Sequence, residues 1–140
     1  MQVSLEKVLL LKNIPVFMDV SESALCDFIN CCEELAFHKG QLILTKGHTN
    51  RHLYIIITGS VQISDEKEIL YEIGAQELFG QLTAFSPSVL EKNAISQEDT
   101  IVLRISSDNL YEMMSLHPSI AKGMIKTLAN KLKVLDNKSI

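Results

Sequence analysis

Leu78-Phe79-Gly80-Gln81-Leu82-Thr83-Ala84-Phe85 is the stretch that decides how this chain reads. Gly74 lies just upstream of it, and the strand-like run from Asp99 to Ser106 lies downstream. A glycine-bearing turn between strand-like segments can aim successive backbone N–H groups at one point, which is how proteins cradle phosphate.

Upstream, short strand-like runs alternate with turn signals. Gln41-Leu42-Ile43-Leu44-Thr45 follows the turn His38-Lys39-Gly40, and a loop Lys46-Gly47-His48-Thr49-Asn50 comes next. Leu53-Tyr54-Ile55-Ile56-Ile57-Thr58 is rich in β-branched residues, and Ser60-Val61-Gln62-Ile63-Ser64 alternates cleanly beyond Gly59. Ile69–Ile73 follows the polar turn Asp65-Glu66-Lys67. Downstream, Ser86-Pro87-Ser88 reads as a loop, and Ala94-Ile95-Ser96 and Thr100–Ile105 as the last strands. The predicted core includes Leu42, Leu44, Tyr54, Ile56, Val61, Ile63, Leu70, Leu78, Phe79, Val102 and Ile105.

Both ends change period. Ser4 caps a first predicted helix that ends before Pro15, and Ser21 caps a second that runs to about Leu35. Cys26, Cys31 and Cys32 all fall in that second helix. Ser107 or Asp108 opens a short helix, and Pro118 begins the last one. Its apolar positions Ile120, Met124, Leu128, Leu132 and Leu135 form one stripe, and Asn137–Ile140 reads as a frayed tail. The class is therefore α+β: an antiparallel β-roll or jelly roll of about eight strands, flanked by N- and C-terminal helices. The 140 residues read as a single unit, with helices over 4–35, the roll over 36–106 and helices over 107–136.

Composition narrows the function. The net charge of −4, with scattered basic residues, leaves no electrostatic footprint for nucleic acid. The apolar run Val8–Leu11 is too short to cross a bilayer and lacks the features of a secretory signal. Three cysteines with no Cys-x-x-Cys pair point to a reducing, cytoplasmic setting.

In this framework the quoted segment resembles the phosphate-binding cassette of the cyclic-nucleotide-binding domain family, of which the catabolite-activator-like regulatory domains are members. Leu11-Lys12-Asn13-Ile14-Pro15-Val16-Phe17 is similar to the family's opening Leu-x-x-x-Pro-x-Phe. Tyr54-Ile55-Ile56-Ile57-Thr58-Gly59-Ser60-Val61 is similar to its Tyr-x-Ile-x-x-Gly-x-Val, with Lys39-Gly40-Gln41 and Lys46-Gly47 as its early glycine turns. Glu98-Asp99-Thr100 and Val102–Ile105 resemble the strand that closes the roll. The order of these motifs carries the resemblance from about Leu9 to Leu132.

The resemblance implies a ligand site, and this chain departs from it. The family's cassette reads Phe-Gly-Glu-Leu-Ala-Leu and continues to a Pro-Arg-x-Ala element. Its Glu accepts from the ribose 2′-hydroxyl, its Arg pairs with the cyclic phosphate, and backbone N–H groups near the Gly also reach the phosphate. The matching positions here are Gly80, Gln81, Leu82 and Thr83, so the carboxylate is replaced by an amide. Counting back gaplessly from Glu98-Asp99-Thr100 puts the Arg position on Leu90, and a two-residue shift puts it on Lys92. Lysine lacks the bidentate fork, and leucine offers no donor. Losing such a fork costs about 3 kcal/mol, roughly a hundredfold in affinity. Thr83 and Asn93 remain as neutral donors. The expectation is a regulatory module with no cofactor, in which binding of cyclic AMP or cyclic GMP is weak or lost. A working sensor with a non-standard cassette is the alternative.

The histidines bear on an enzymatic alternative, because cupins also use small β-rolls. His48 and His52 have the wrong spacing for same-face strand ligands, His38 stands apart, and His117 falls in the C-terminal helical region. No metal ligand set or catalytic group is assigned. The last helix is expected to carry the output, as a homodimer contact or a docking surface for a partner domain.

Overall fold

The computed structural model describes residues 4–135. The predicted tail Asn137–Ile140 lies outside them, as does residue 136 at the end of the last predicted helix.

The chain enters through helices α1 (Leu5–Lys12) and α2 (Glu22–Asn30), joined through a 3-10 turn at Pro15–Phe17. Both helices are capped as their sequences require: the Ser4 hydroxyl accepts from the Lys7 N–H at 3.2 Å, and Ser21 from Ala24 N–H at 3.1 Å. Helix α2 stops at Asn30, with Cys31 as its C-cap, rather than running to Leu35. Cys31 and Cys32 therefore sit just past the helix, and Glu33–Phe37 forms strand β1 instead. The reason is long-range: this segment pairs antiparallel with Thr100–Ser106, placing Glu33 opposite Arg104 and Phe37 opposite Thr100. The roll thus begins at Glu33, not at residue 36.

Ten strand segments follow one another through the middle of the chain. They are β1 (Glu33–Phe37), β2 (Leu42–Leu44), β3 (Thr49–Asn50), β4 (His52–Thr58), β5 (Ser60–Ser64), β6 (Ile69–Gly74), β7 (Leu78–Phe79), β8 (Ser88–Val89), β9 (Asn93–Ser96) and β10 (Thr100–Ser106). The count exceeds the expected eight because β3, β7 and β8 are two-residue segments lying in stretches that read as loop or turn. One antiparallel sheet has the order β1-β10-β4-β7 and the other β2-β9-β5-β6, while β3 and β8 pair separately. A helix not foreseen in the sequence, α3 (Gln81–Phe85), follows β7. Helices α4 (Ser107–Leu116) and α5 (Pro118–Leu135) complete the fold. The cap of α4 is Ser106, whose hydroxyl accepts from Asn109 N–H, so the last residue of β10 does the work expected of Ser107 or Asp108.

Alternation along β4 and β10 separates two cores. Leu53, Ile55, Leu103 and Ile105 face the helices and pack with Leu11, Phe17, Leu25, Phe28, Leu110 and Ile120. Tyr54, Ile56 and Val102 face the other way and fill the roll with Val61, Ile63, Phe79 and Ala94. Four predicted core residues are displaced from this scheme. Leu42 and Leu70 are 45% and 38% exposed, because β2 and β6 are the outer strands of their sheet. Leu44 and Leu78 are only partly buried.

The stripe predicted on α5 also divides. Ile120 and Met124 are buried, Leu128 is partly buried, and Leu132 and Leu135 are exposed. The helix packs on the 3-10 turn and α4, and burial falls off along it from Ile120 and Met124 to Leu132 and Leu135.

Candidate functional site

The cassette turn is built on an aromatic platform. Phe79 stacks on Tyr54 with ring centroids 4.8 Å apart and planes 10° from parallel, which fixes the end of β7 against β4. Gly80 then takes a left-handed conformation, φ 79°, and becomes the N-cap of α3. Only glycine suits this position. A Cβ there would sit 2.8 Å from the His52 carbonyl oxygen and 3.2 Å from Asn50 Nδ2, besides being strained at positive φ. The close approach to β4 and the sharp entry into α3 have one cause.

Asn50 ties this turn to the roll. It is 4% exposed, and its amide donates to the His52 carbonyl at 2.8 Å and to Thr83 Oγ1 at 2.7 Å, while its Oδ1 accepts from His52 N–H at 3.2 Å. Thr83 Oγ1 in turn donates to the Gly80 carbonyl at 3.3 Å. Asn50 also pairs through its backbone with Ser88, and Gly47 and His48 exchange hydrogen bonds with Leu90. The far end of α3 is held by Tyr111, whose hydroxyl donates to the Phe85 carbonyl while its ring meets Phe85 edge-on at 6.2 Å. The sequence does not point to Asn50 or Tyr111, because the contacts that tie them to α3, to Thr83 and Phe85, lie 33 and 26 residues away.

No side chain caps α3, so the first N–H groups of the helix, over Gln81, Leu82 and Thr83, have no capping partner. Gln81 and Thr83 are partly buried, and Leu82 is 73% exposed. Leu90 and Lys92 come together. With Lys46, Gly47, Asp65, Leu70, Val89 and Glu91 they line an open cavity of about 530 Å³. The four cassette positions Gly80–Thr83 are not among the lining residues. Asn93 stands beside it with its Oδ1 accepting from Lys46 N–H at 2.7 Å.

The electrostatics of this region are self-contained. Lys46 Nζ lies 4.0 Å from Glu66, and Lys92 Nζ lies 5.9 Å above the Tyr71 ring. Asp65 accepts from the N–H groups of Lys67 and Glu68; those bonds, with the nearby lysines, hold its carboxyl below the usual value. The chain has two arginines. Arg104, on β10, spans both oxygens of Glu33 at 3.1 Å, and the Arg51 side chain is exposed. Burial and the Arg104 charge hold His52 below the ordinary imidazole value. Around the cassette Leu90 is apolar, Thr83 Oγ1 is bonded to Asn50 and Gly80, and Asn93 Oδ1 accepts from the Lys46 N–H.

The family model described as the cyclic nucleotide-binding domain matches residues 34–117. The chain belongs to this family. It is 27% identical over 127 residues to a CRP-like cAMP-activated global transcriptional regulator of Mycobacterium tuberculosis, covering 87% of this chain and 57% of that protein. It is 26% identical over 133 residues to human cGMP-dependent protein kinase 2, covering 90% of this chain and 17% of the kinase. The fold is similar to that of Thermus thermophilus catabolite activator protein, with a TM-score of 0.81 at 20% identity over 89% of this chain and 61% of that one. The chain thus spans about three fifths of the length of these bacterial relatives. Among the described residues no helix is long and apolar enough to cross a membrane.

Proposed function

We propose that this chain is a non-catalytic regulatory module whose cassette keeps the family's backbone shape and binds cyclic AMP and cyclic GMP weakly or not at all. It works in the cytoplasm and passes its signal through α5, to a second copy or a partner domain, without binding nucleic acid itself. The observation that carries the reading is Leu90. At the gapless position of the family's phosphate-binding arginine stands an apolar side chain, and the Thr83 hydroxyl beside the cassette is already bonded to Asn50 and Gly80. Lys92, the shifted candidate, lines the same cavity with its ammonium group over Tyr71.

Isothermal titration of the purified chain with each nucleotide tests the reading. Dissociation constants in the high micromolar range or weaker are expected, and values at or below about 10 μM overturn it. Gln81→Glu combined with Leu90→Arg then strengthens binding by about a hundredfold. If Lys92→Arg gives the gain instead, the shifted alignment is the right one.

One observation favours a second reading, a working sensor with a non-standard cassette. The uncapped N–H groups of α3 over Gln81–Thr83 remain for an anion, and Gln81 retains an amide oxygen for a ribose hydroxyl. Tight binding in the same titration would establish it.

A further inference from the structure

His52 opens β4 and serves two networks. Its backbone holds the cassette turn. The His52 N–H donates to Asn50 Oδ1 and its carbonyl accepts from Asn50 Nδ2, which also reaches Thr83 Oγ1, and Thr83 closes on the Gly80 carbonyl. Its imidazole belongs to a cluster of titratable groups. Two residues before Tyr54, His52 shares the face of β4 that Tyr54 turns to the roll. Strand β10 sets Arg104 opposite Tyr54, and β1 sets Glu33 opposite Arg104, so His52 and Arg104 are diagonal neighbours on that face. Arg104 is itself short of partners. Its Nη2 lies 3.1 Å from both Glu33 oxygens, while its Nε is buried with no hydrogen-bond partner. The Glu33 side chain is 59% exposed. Strand β7 and helix α3 bring no charged residue to this region, and Arg51 and Asp108 are exposed. The imidazole thus faces one cation, one half-solvated carboxylate and the Tyr54 phenol.

We propose that His52 is a proton-operated release for the cassette turn: a proton on its imidazole drives the start of β4 off Asn50 and frees α3, so that acidity itself is an input to this module. No nucleotide is required for it. An imidazolium places a second cation beside Arg104, which already shares a single carboxylate that water also solvates. The cost is relieved when the His52 segment moves out to water. That movement breaks the two bonds between His52 and Asn50, and with them the tie from Asn50 to Thr83 and Gly80. The direction follows from the closed state. There, burial and the Arg104 charge hold His52 below its ordinary value of 6.5, with Glu33 opposing them. An opened segment regains the ordinary value and takes up the proton first, so opening becomes easier as the pH falls below 6.5.

Amide hydrogen exchange of the full chain, read by NMR as protection factors so that the intrinsic pH dependence is removed, follows the opening residue by residue. The reporting amides are those of His52, Ala84 and Ser86, bonded to Asn50, Gly80 and Leu82. Between about pH 6.5 and 5.5 their protection should fall by up to about tenfold, the limit for one proton, while the amides of β5 hold level. His52→Gln should remove the fall. Glu33→Gln should steepen it, because the one group that favours the proton is gone, and this variant carries the test if His52→Gln does not fold. His48→Gln should leave the response as in the parent chain. Reporting amides that respond to pH no more than β5 would overturn the proposal. So would a response that survives His52→Gln or disappears with His48→Gln.

Discussion

Gly123 sits in α5 where the helix crosses the 3-10 turn, and replacing it with alanine sets two effects against each other. Glycine inside a helix costs about 1 kcal/mol relative to alanine, so propensity alone makes Gly123→Ala stabilising. The structure argues otherwise. A Cβ on Gly123 would lie 2.0 Å from the carbonyl oxygen of Val16 and 3.0 Å from its carbonyl carbon. A tolerable carbon-to-oxygen approach is about 3.3 Å, so α5 must retreat by about 1 Å or the turn must give way. Both partners are backbone, and no rotamer change relieves the contact. A gap of that size forfeits up to about half of the dispersion energy of the side chains it separates. Ile120 and Met124, 0% and 3% exposed, are those side chains.

Overpacking of this kind costs about 1–3 kcal/mol, and the backbone-to-backbone clash places it at the upper end. After the gain in propensity the net loss is about 2 kcal/mol. For a chain of this length that lowers Tm by about 8 °C and moves the urea midpoint down by about 1 M. Thermal and urea melts followed by circular dichroism measure it, with Asn130→Ala at an exposed position of the same helix as the control for propensity. If Gly123→Ala melts at or above the parent temperature, the close packing of α5 on Val16 is wrong, and the division of α5 into a fixed and a free half loses its basis.

Other consequences follow from the same structure. Asn50→Ala leaves the His52 carbonyl and the Thr83 hydroxyl short of a buried partner, costs about 2 kcal/mol, and speeds hydrogen exchange across α3 more than across β10; equal effects on both would refute its local role. The lowered value of His52 means that the unfolded state takes up a proton first as the pH falls. Its contribution is complete above pH 6.5 and is lost from there towards its lower folded value, so His52→Gln flattens this part of the stability curve. Burial raises the Cys32 thiol far above its usual value, and burial with Glu112 and Asp27 raises Cys31. Iodoacetamide at pH 8 should therefore modify Cys32 only when the chain unfolds, and mass spectrometry of the native protein reads this directly.

Where residues answer to local rules, the sequence was legible. The run Leu53–Thr58 gives β4 because alternate residues feed two cores, and Ser4 and Ser21 act as caps because capping depends on the next three residues. What sequence could not show depends on distant partners. Glu33–Phe37 looks like a continuing helix until β10 pairs with it. Leu42 and Leu70 have strand character, and only the sheet order reveals that their strands are outermost. Helix α3 went unread because a five-residue helix entered through a left-handed glycine has no capping side chain to announce it. The candidate positions Gly80–Thr83 are legible as a motif, whereas the cavity that gathers Leu90 and Lys92 with Lys46, Asp65 and Leu70 is a property of the fold alone.

The arrangement separates the atoms that shape the cassette from those that would choose its ligand. Shape is carried by Gly80, Phe79, Tyr54, Asn50 and Thr83: a positive φ, a ring stack and a closed set of hydrogen bonds. Changing any of these disturbs packing or strands a buried polar group, so each carries a stability penalty whether or not a ligand is present. Gln81, Leu90 and Lys92 stand outside that network. Gln81 is only partly buried, Lys92 is exposed, and Leu90 is held by its backbone to Gly47 and His48 rather than through its side chain. Substitution at these three positions therefore leaves the turn standing. That is why a chain can keep the family's fold and motif order while it presents an amide where the cassette carboxylate is expected, and Leu90 or, on the shifted count, Lys92 where the arginine is expected. It also makes the rescue by Gln81→Glu with Leu90→Arg a fair test: the two changes alter the chemistry offered to a nucleotide and leave the backbone that would receive it as it is.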